Sequence, residues 1–293
     1  MILSVGEILA DMFGETKNNR MVFDCAVGGA PFNLAVNAKK AGAKVAFLGR
    51  VGNDNVGAYL KTQAEKAKLD YLYIQTDEKR STTLAFVTLQ NGERDFSFMR
   101  NDTADYHIDC NAIDLEHSAK LNIIHIGSLM LSEKAGRKVA SHFLRVAKEK
   151  GISVSFDLNF RKDIFKDIKQ ARKFYKKYVE GADIVKFSED ELLEYTGLDN
   201  FDEAVNSLLR PNKLIVITKG AEGSTYYYNG KTGTVPTQPL KPIDTTGAGD
   251  AFFGTFLAHI DGVPLNRQVI EVALTYANNA GAITTQFKGA IQL

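Results

Sequence analysis

The sequence predicts an α/β protein: a three-layer α/β/α sandwich whose central sheet is mostly parallel, with a small β-sheet lid beside it. Two observations carry this. Short β-branched runs alternate with helical runs along the 293 residues, the rhythm of right-handed crossovers that put helices on both faces of a sheet. The stretch Ser81–Arg100 (STTLAFVTLQNGERDFSFMR) breaks that rhythm with two alternating strands around Asn91-Gly92, a strong hairpin signal.

Taken in order, strands are expected at Ile2–Val5 (ILSV), Val45–Leu48 (VAFL), Asn122–Ile126 (NIIHI), Ser153–Asp157 (SVSFD), Asp183–Phe187 (DIVKF) and Lys213–Ile217 (KLIVI). Helices are expected to begin near Pro31, Asn55, Ser132, Ser188, Phe201, Gly247 and Leu265. Pro31 suits the first position of a helix and Gly42 its end. The run KEKG at Lys148–Gly151 reads as a solvated helix end. Met12–Phe23 (MFGETKNNRMVF) reads as a second short β pair, so the lid is expected from residues about 12–25 and 82–101 of a single 293-residue domain. Ser224–Val235 (STYYYNGKTGTV) is another hairpin, turning at Asn229-Gly230. Its KTG triplet has no Ser-x-x-Lys to accompany it and is turn chemistry.

Composition removes several classes. Apolar residues are 44% of the chain, enough for a sizeable core, and the net charge of +1 gives neither a nucleic-acid surface nor a polybasic membrane anchor. Two cysteines, Cys25 and Cys110, without motif spacing fit a reducing cytoplasm. The apolar start carries Glu7 and Asp11 and reads as a first strand, not a signal peptide, and no apolar run is long enough to span a bilayer. There is no Gly-x-x-x-x-Gly-Lys-Ser/Thr, no His-Arg-Asp with Asp-Phe-Gly, and no Gly-x-Gly-x-x-Gly after the first strand. The five histidines form no metal-spaced pair.

Open α/β sheets bind ligands at the carboxyl ends of their strands, and polar residues collect there repeatedly. Glu7 and Asp11 follow the first strand; DLNFR (Asp157–Arg161), SEDE (Ser188–Glu191) and TKGAEG (Thr218–Gly223) follow later ones. Any one of these is explained as a helix cap; their recurrence at one sheet edge is not. VGGAPFNLA (Val27–Ala35) adds paired glycines and Asn33 at a helix start. Most telling is IDTTGAGDAFFGTF (Ile243–Phe256). Successive backbone N–H groups of Gly247, Ala248 and Gly249 would point at an anion at a helix N-terminus. Asp250 would stand beside that hole, able to accept a hydroxyl proton. As a helix-dipole partner alone it would contribute under about 2 kcal/mol, and the paired glycines would have no purpose.

GGAPFNLA and DTTGAGDAFFG resemble the two signatures of the ribokinase-like sugar kinase family, with matching spacing over nearly the whole chain. GEILAD, DLNFR, KFSEDE, TKGAEGS and KGA follow in the family's order. GGAP, RDFSFMRNDTAD, HIGSLML and DLNFR are most similar to its fructokinase group. The resemblance implies the ribokinase-like fold, a lid that serves as a route to a homodimer, and transfer of the γ-phosphoryl group of ATP to a sugar hydroxyl, with fructose to fructose 6-phosphate foremost. It implies Asp250 as catalytic base and Gly247, Ala248 and Gly249 as the anion hole. Sugar contacts are implied at Asp11, Gly28, Gly29 and Asn33, with Phe96 and Phe98 as lid walls and Asn159 and Arg161 near the substrate or phosphate. ATP contacts are implied at Lys186, Ser188, Thr218, Gly220 and Gly223, with Asn278 near the adenine. Glu191 matches the acid that organises Mg2+ through water, though Ser188 stands where the family motif has asparagine. Asp244 and Thr246, with the loop around Lys288, resemble a monovalent-cation (K+) site. The alternatives left open are 2-keto-3-deoxygluconate, ribose or a nucleoside as substrate, and a non-catalytic sugar- or nucleotide-binding regulator.

Overall fold

The computed structural model describes residues 1–90, 93–113, 120–161, 164–165, 167–238 and 240–293. Its strands in chain order are β1 (Ile2–Val5), β2 (Leu9–Lys17), β3 (Arg20–Gly28), β4 (Val45–Gly52), β5 (Tyr71–Asp77), β6 (Leu84–Gln90) and β7 (Glu93–Met99). They continue with β8 (Ile123–Ile126), β9 (Ser153–Asp157), β10 (Ile184–Ser188), β11 (Leu214–Thr218), β12 (Ser224–Tyr228) and β13 (Lys231–Val235). The helices are α1 (Ala30–Lys40), α2 (Asn55–Glu65), α3 (Lys134–Lys150), α4 (Ile168–Gly181), α5 (Glu189–Thr196), α6 (Phe201–Leu208), α7 (Ala248–Ile260) and α8 (Arg267–Thr284).

Nine strands form the main sheet in the order β13-β12-β11-β10-β9-β8-β1-β4-β5. From β11 to β5 every pairing is parallel; β12 and β13 extend the sheet antiparallel. Strands such as Ile2–Val5 and Ile123–Ile126 are buried at every position, as a sheet covered on both faces requires. Alternate residues feed two separate cores. Leu3, Val5, Ile124, Ile126, Val154 and Phe156 pack with residues of α3, α4, α5 and α6. Ile2, Val45, Phe47, Ile123 and Ile184 pack with residues of α1, α2, α7 and α8. The expected three-layer α/β/α sandwich is therefore present. Among the described residues, no helix is long and apolar enough to cross a membrane.

Two elements exceed the sequence expectations. β5 adds an edge strand beside β4, and α4 covers β9. α3 starts at Lys134, after a 3₁₀ turn at Leu129–Ser132, and α8 starts at Arg267 with Asn266 as its cap.

The second sheet has the order β3-β2-β6-β7. The first hairpin spans Leu9–Gly28, longer at both ends than expected, and turns at Asn18 and Asn19 with φ of 51° and 59°. Both residues are left-handed, as a two-residue turn matched to strand twist demands, and asparagine tolerates this. The Asn229-Gly230 turn has the same form, with φ of 47° and 73°. β6 and β7 pair antiparallel up to Gln90 opposite Glu93; Asn91-Gly92 itself lies outside the described residues. One cross-strand row runs Phe98–Ala85–Asp11–Ala26. Alanines beside Asp11 and Phe98 leave the space above the row to those two side chains.

Polar bonds anchor this sheet to the body. Asp54 caps α2 through the Gly57 N–H (2.7 Å) and also accepts from the Thr82 N–H (2.7 Å) and hydroxyl (2.8 Å) at the base of β6. At the end of β7, buried Arg100 pairs with buried Asp105 at 2.8 Å and donates to the Ser132 hydroxyl. Asp54→Ala is expected to cost about 2 kcal/mol, a cap plus the bonds to Thr82, read as a lowered urea midpoint with unchanged slope.

Candidate active site

Two helix starts meet over the carboxyl ends of the central strands. Gly247, at φ 75°, is the left-handed residue that opens α7, and a Cβ there would lie 2.6 Å from Ala290 Cα. Only glycine satisfies both the turn and that close approach. Gly254 serves a similar purpose two turns on: a Cβ would lie 2.4 Å from the Leu34 carbonyl oxygen, so α7 packs directly on the α1 backbone. This contact brings Asn33 of α1 to Asp250 of α7, and Asn33 Nδ2 donates to Asp250 Oδ2 at 2.8 Å. Burial raises the Asp250 pKa above its ordinary value, while the Asn33 bond and the charges of Lys186 and Arg161 pull against the rise.

A second charged pair lies beneath. Lys186 of β10 and Asp157 at the end of β9 are paired in register. Lys186 Nζ is 2.9 Å from both carboxylate oxygens, and both residues are buried. Burial opposes the Lys186 ammonium, but the charges of Asp157 and Glu191 outweigh it and raise its pKa. Lys186 Nζ is 3.4 Å from where a Gly249 Cβ would stand, so no side chain separates it from the first turn of α7.

Two cavities open on either side of this turn. One, of about 370 Å³, is lined by Asp11 and Phe98 of the small sheet, by Gly29, Asn33 and Arg161, and by Thr246, Gly247 and Asp250. Leu9 and Phe98 pack with Ala85 and Leu129, which seats the small sheet over this cavity. The other, of about 480 Å³, is lined by Ser188, Glu191, Thr218, Gly220, Gly223, Ala248 and Asn278, with Leu240, Pro242 and Phe252 as an apolar side. Asn159, Lys186, Thr245 and Gly249 line both cavities and mark their junction. Asn159 stands there at φ 40°, a left-handed backbone that only a few residue types adopt readily.

Several residues expected as ligands also have structural tasks. A Cβ on Gly28 would lie 2.1 Å from Asp11 Oδ2, so Gly28 makes room for that carboxylate and does not itself line the cavity. Glu191 completes a capping box with Ser188: one oxygen accepts from the Ser188 N–H (2.8 Å), the other from the Phe160 N–H (2.9 Å). Asn278 Nδ2 donates to the Val235 carbonyl at 2.9 Å. Asp244 is buried outside both cavities and accepts from the N–H groups of Thr246 (2.7 Å) and Gly289 (2.8 Å), which draws the chain end near Lys288 to this loop. The Phe96 side chain lies outside the described residues. Sequence reasoning assigned no role to Glu7, Ser128, Leu129 or Thr245, which also line the first cavity. Glu7 had a visible signal, an acid directly after a strand; Ser128 and Leu129 lie in HIGSLML and Thr245 in DTTGAGD, motifs that carried the resemblance without naming a role for them.

Comparison with known proteins agrees with this architecture. The pfkB family carbohydrate kinase model matches residues 1–293. Fructokinase-1 of Oryza sativa subsp. japonica is 36% identical over 301 residues, covering 99% of this chain and 93% of the rice protein. The Vibrio cholerae O395 fructokinase, solved with fructose, ADP and calcium ion, superposes with a TM-score of 0.87 at 31% identity, covering 99% of this chain and 94% of that one. The Xylella fastidiosa fructokinase with bound ATP gives 0.88 at 29% identity, covering 99% and 93%. A full-length family match and relatives above 30% identity settle the kinship: the chain belongs to the pfkB family of carbohydrate kinases.

Proposed function

We propose that the protein is an ATP-dependent fructokinase that transfers the γ-phosphoryl group to a hydroxyl of D-fructose, giving fructose 6-phosphate. The observation that carries this reading is the half-buried Asp250 carboxylate, held by Asn33 at the first turn of α7, where two cavities meet. The sugar occupies the cavity under the small sheet, held by Asp11, Asn33 and Arg161 and walled by Phe98. ATP occupies the other cavity, its base against the apolar side near Asn278 and its phosphates directed at Gly249.

Phosphoryl transfer asks mainly for alignment and charge stabilisation. Asp250 accepts the proton of the attacking hydroxyl. The N–H groups of Gly247 and Gly249 and the Lys186 ammonium face the charge that develops on the transferring group; the Ala248 N–H, expected in the same hole, donates to the Thr245 carbonyl at 3.3 Å. The small sheet excludes water, which limits wasteful ATP hydrolysis. Among the described residues no three His, Cys, Asp or Glu side chains cluster to cage a metal, and the Asp157 carboxylate is occupied by Lys186. This donor set suits Mg2+ held by the nucleotide phosphates and water, with Glu191 as outer partner, rather than by a protein cage. Bound there, Mg2+ supplies charge neutralisation on the phosphates. A K+ site by Asp244 and Thr246 belongs to the same reading.

Fructose is favoured over 2-keto-3-deoxygluconate or ribose because the curated relatives and the ligand-bound neighbours above are fructokinases. A homodimer through the small sheet is supported by its exposed Met21 and Met99, and a cytoplasmic setting by two free cysteines. The test is ADP release from Mg-ATP against a sugar panel, with and without K+. Strong turnover with fructose alone is expected. Turnover with another sugar alone would replace the substrate, and silence with ATP binding intact would overturn the kinase reading.

A further inference from the structure

The main sheet changes direction between β1 and β8: from β1 the chain builds outward through β4 and β5 on one side and through β8, β9 and β10 on the other. The crevice outside such a switch point is where open α/β sheets take ligands. Glu7, one residue beyond Gly6 at the end of β1, stands in it. Glu7 is 2% exposed, lines the sugar cavity and not the nucleotide cavity, and its Oε2 is buried without a hydrogen-bond partner. That oxygen lies over Gly127, just past β8, where a Cβ would come within 3.2 Å of it.

The charged groups around Glu7 do not satisfy it. Arg100 is paired with Asp105, and Asp250 accepts from Asn33. Burial pushes the Glu7 carboxyl up to about 8; Asp105 and Asp250 reinforce the rise, and its own backbone N–H and Arg100 oppose it. At neutral pH Glu7 therefore carries a proton and is a hydrogen-bond donor. Of the other acids that line the cavity, Asp157 is paired with Lys186 and Asp250 accepts from Asn33. A buried polar group left unpaired is costly, and a sugar oxygen entering the cavity would remove that cost.

We propose that Glu7 is a specificity-determining residue of the sugar site, its carboxyl giving a hydrogen bond to one oxygen of the bound sugar. This rests on the kinase reading above. The test is a cycle of fructose analogues, each lacking one oxygen, against the wild type, Glu7→Gln and Glu7→Leu. In the wild type the critical analogue is expected to lose about 10- to 100-fold in kcat/KM, since a buried polar group is then left unpaired. In Glu7→Leu that penalty should collapse to below about threefold, because the partner is already gone, while the KM for ATP is unchanged. Penalties that persist unchanged in Glu7→Leu would overturn the proposal, whatever the general loss of activity.

Should Glu7→Leu fail to fold, Glu7→Gln decides. The wild-type KM for sugar should rise as pH passes through about 8, where the donor proton is lost. Glutamine, which keeps a donor at all pH, should remove that rise; an identical rise in both proteins would overturn the proposal. Wild-type silence with every sugar would overturn the kinase reading first, and this inference with it.

Discussion

Asp250→Asn should fold, bind ATP as the wild type does, and lose about 10³-fold in kcat. The magnitude is that of removing a positioned general base, 10² to 10⁴, on a reaction that otherwise keeps its anion hole and aligned substrates. Folding should survive because asparagine keeps an oxygen to accept the 2.8 Å bond from Asn33 Nδ2. Burial already raises the Asp250 pKa, so the carboxylate is an unfavourable tenant of the folded state at neutral pH. Its removal should leave the melting temperature unchanged or slightly higher. The pH profile carries a sign. As the proposed base Asp250 must be ionised, so wild-type kcat should fall on acidification, with a midpoint above the ordinary carboxyl value of 3.8. The residual activity of Asp250→Asn should lack that limb. Near-wild-type turnover in the variant would remove the base assignment.

Much of this was readable from residue order. SVSFD is β9 to the residue, and Asn-Gly at 229–230 placed a hairpin because both positions need left-handed backbone. α4 was missed because its buried stripe Ala171, Tyr175, Tyr178 and Val179 is interleaved with lysines and an arginine. β5 was missed because YLYIQTD is only half-buried at the sheet edge and lacks the continuous β-branched run of its neighbours. The motifs around Asp250 named the site residues but not their partners. That Asp157 holds Lys186 depends on two parallel strands placed side by side by residues 29 apart in sequence. That Gly28 exists to admit the Asp11 carboxylate depends on the β2–β3 register. That Glu7 has a buried, unpartnered oxygen is a property of three dimensions alone.

Lys186→Met should be costly twice, and the two costs can be separated. Taking away one member of a buried ion pair leaves the other uncompensated, an effect of about 3–5 kcal/mol, and among the described residues Lys186 is the ion-pair partner of Asp157. The loss should be greater at pH 8 than at pH 5. Burial pushes the Asp157 carboxyl up and Lys186 is what pulls it back; without the lysine its folded pKa rises further, and a raised pKa means stability lost as pH increases. Turnover should fall as well, since Lys186 lines the junction of the two cavities beside Gly249. The double variant Lys186→Met with Asp157→Leu discriminates between the roles. An apolar pair can replace a buried ion pair at little or no cost, so urea midpoints should recover most of the loss. Turnover should not recover if Lys186 has the proposed role, because the ammonium assigned to the transferring phosphoryl group is still missing. If stability and kcat return together, Lys186 merely supports the sheet, and the charge at the junction must be met by the α7 N-terminus and Arg161 without it.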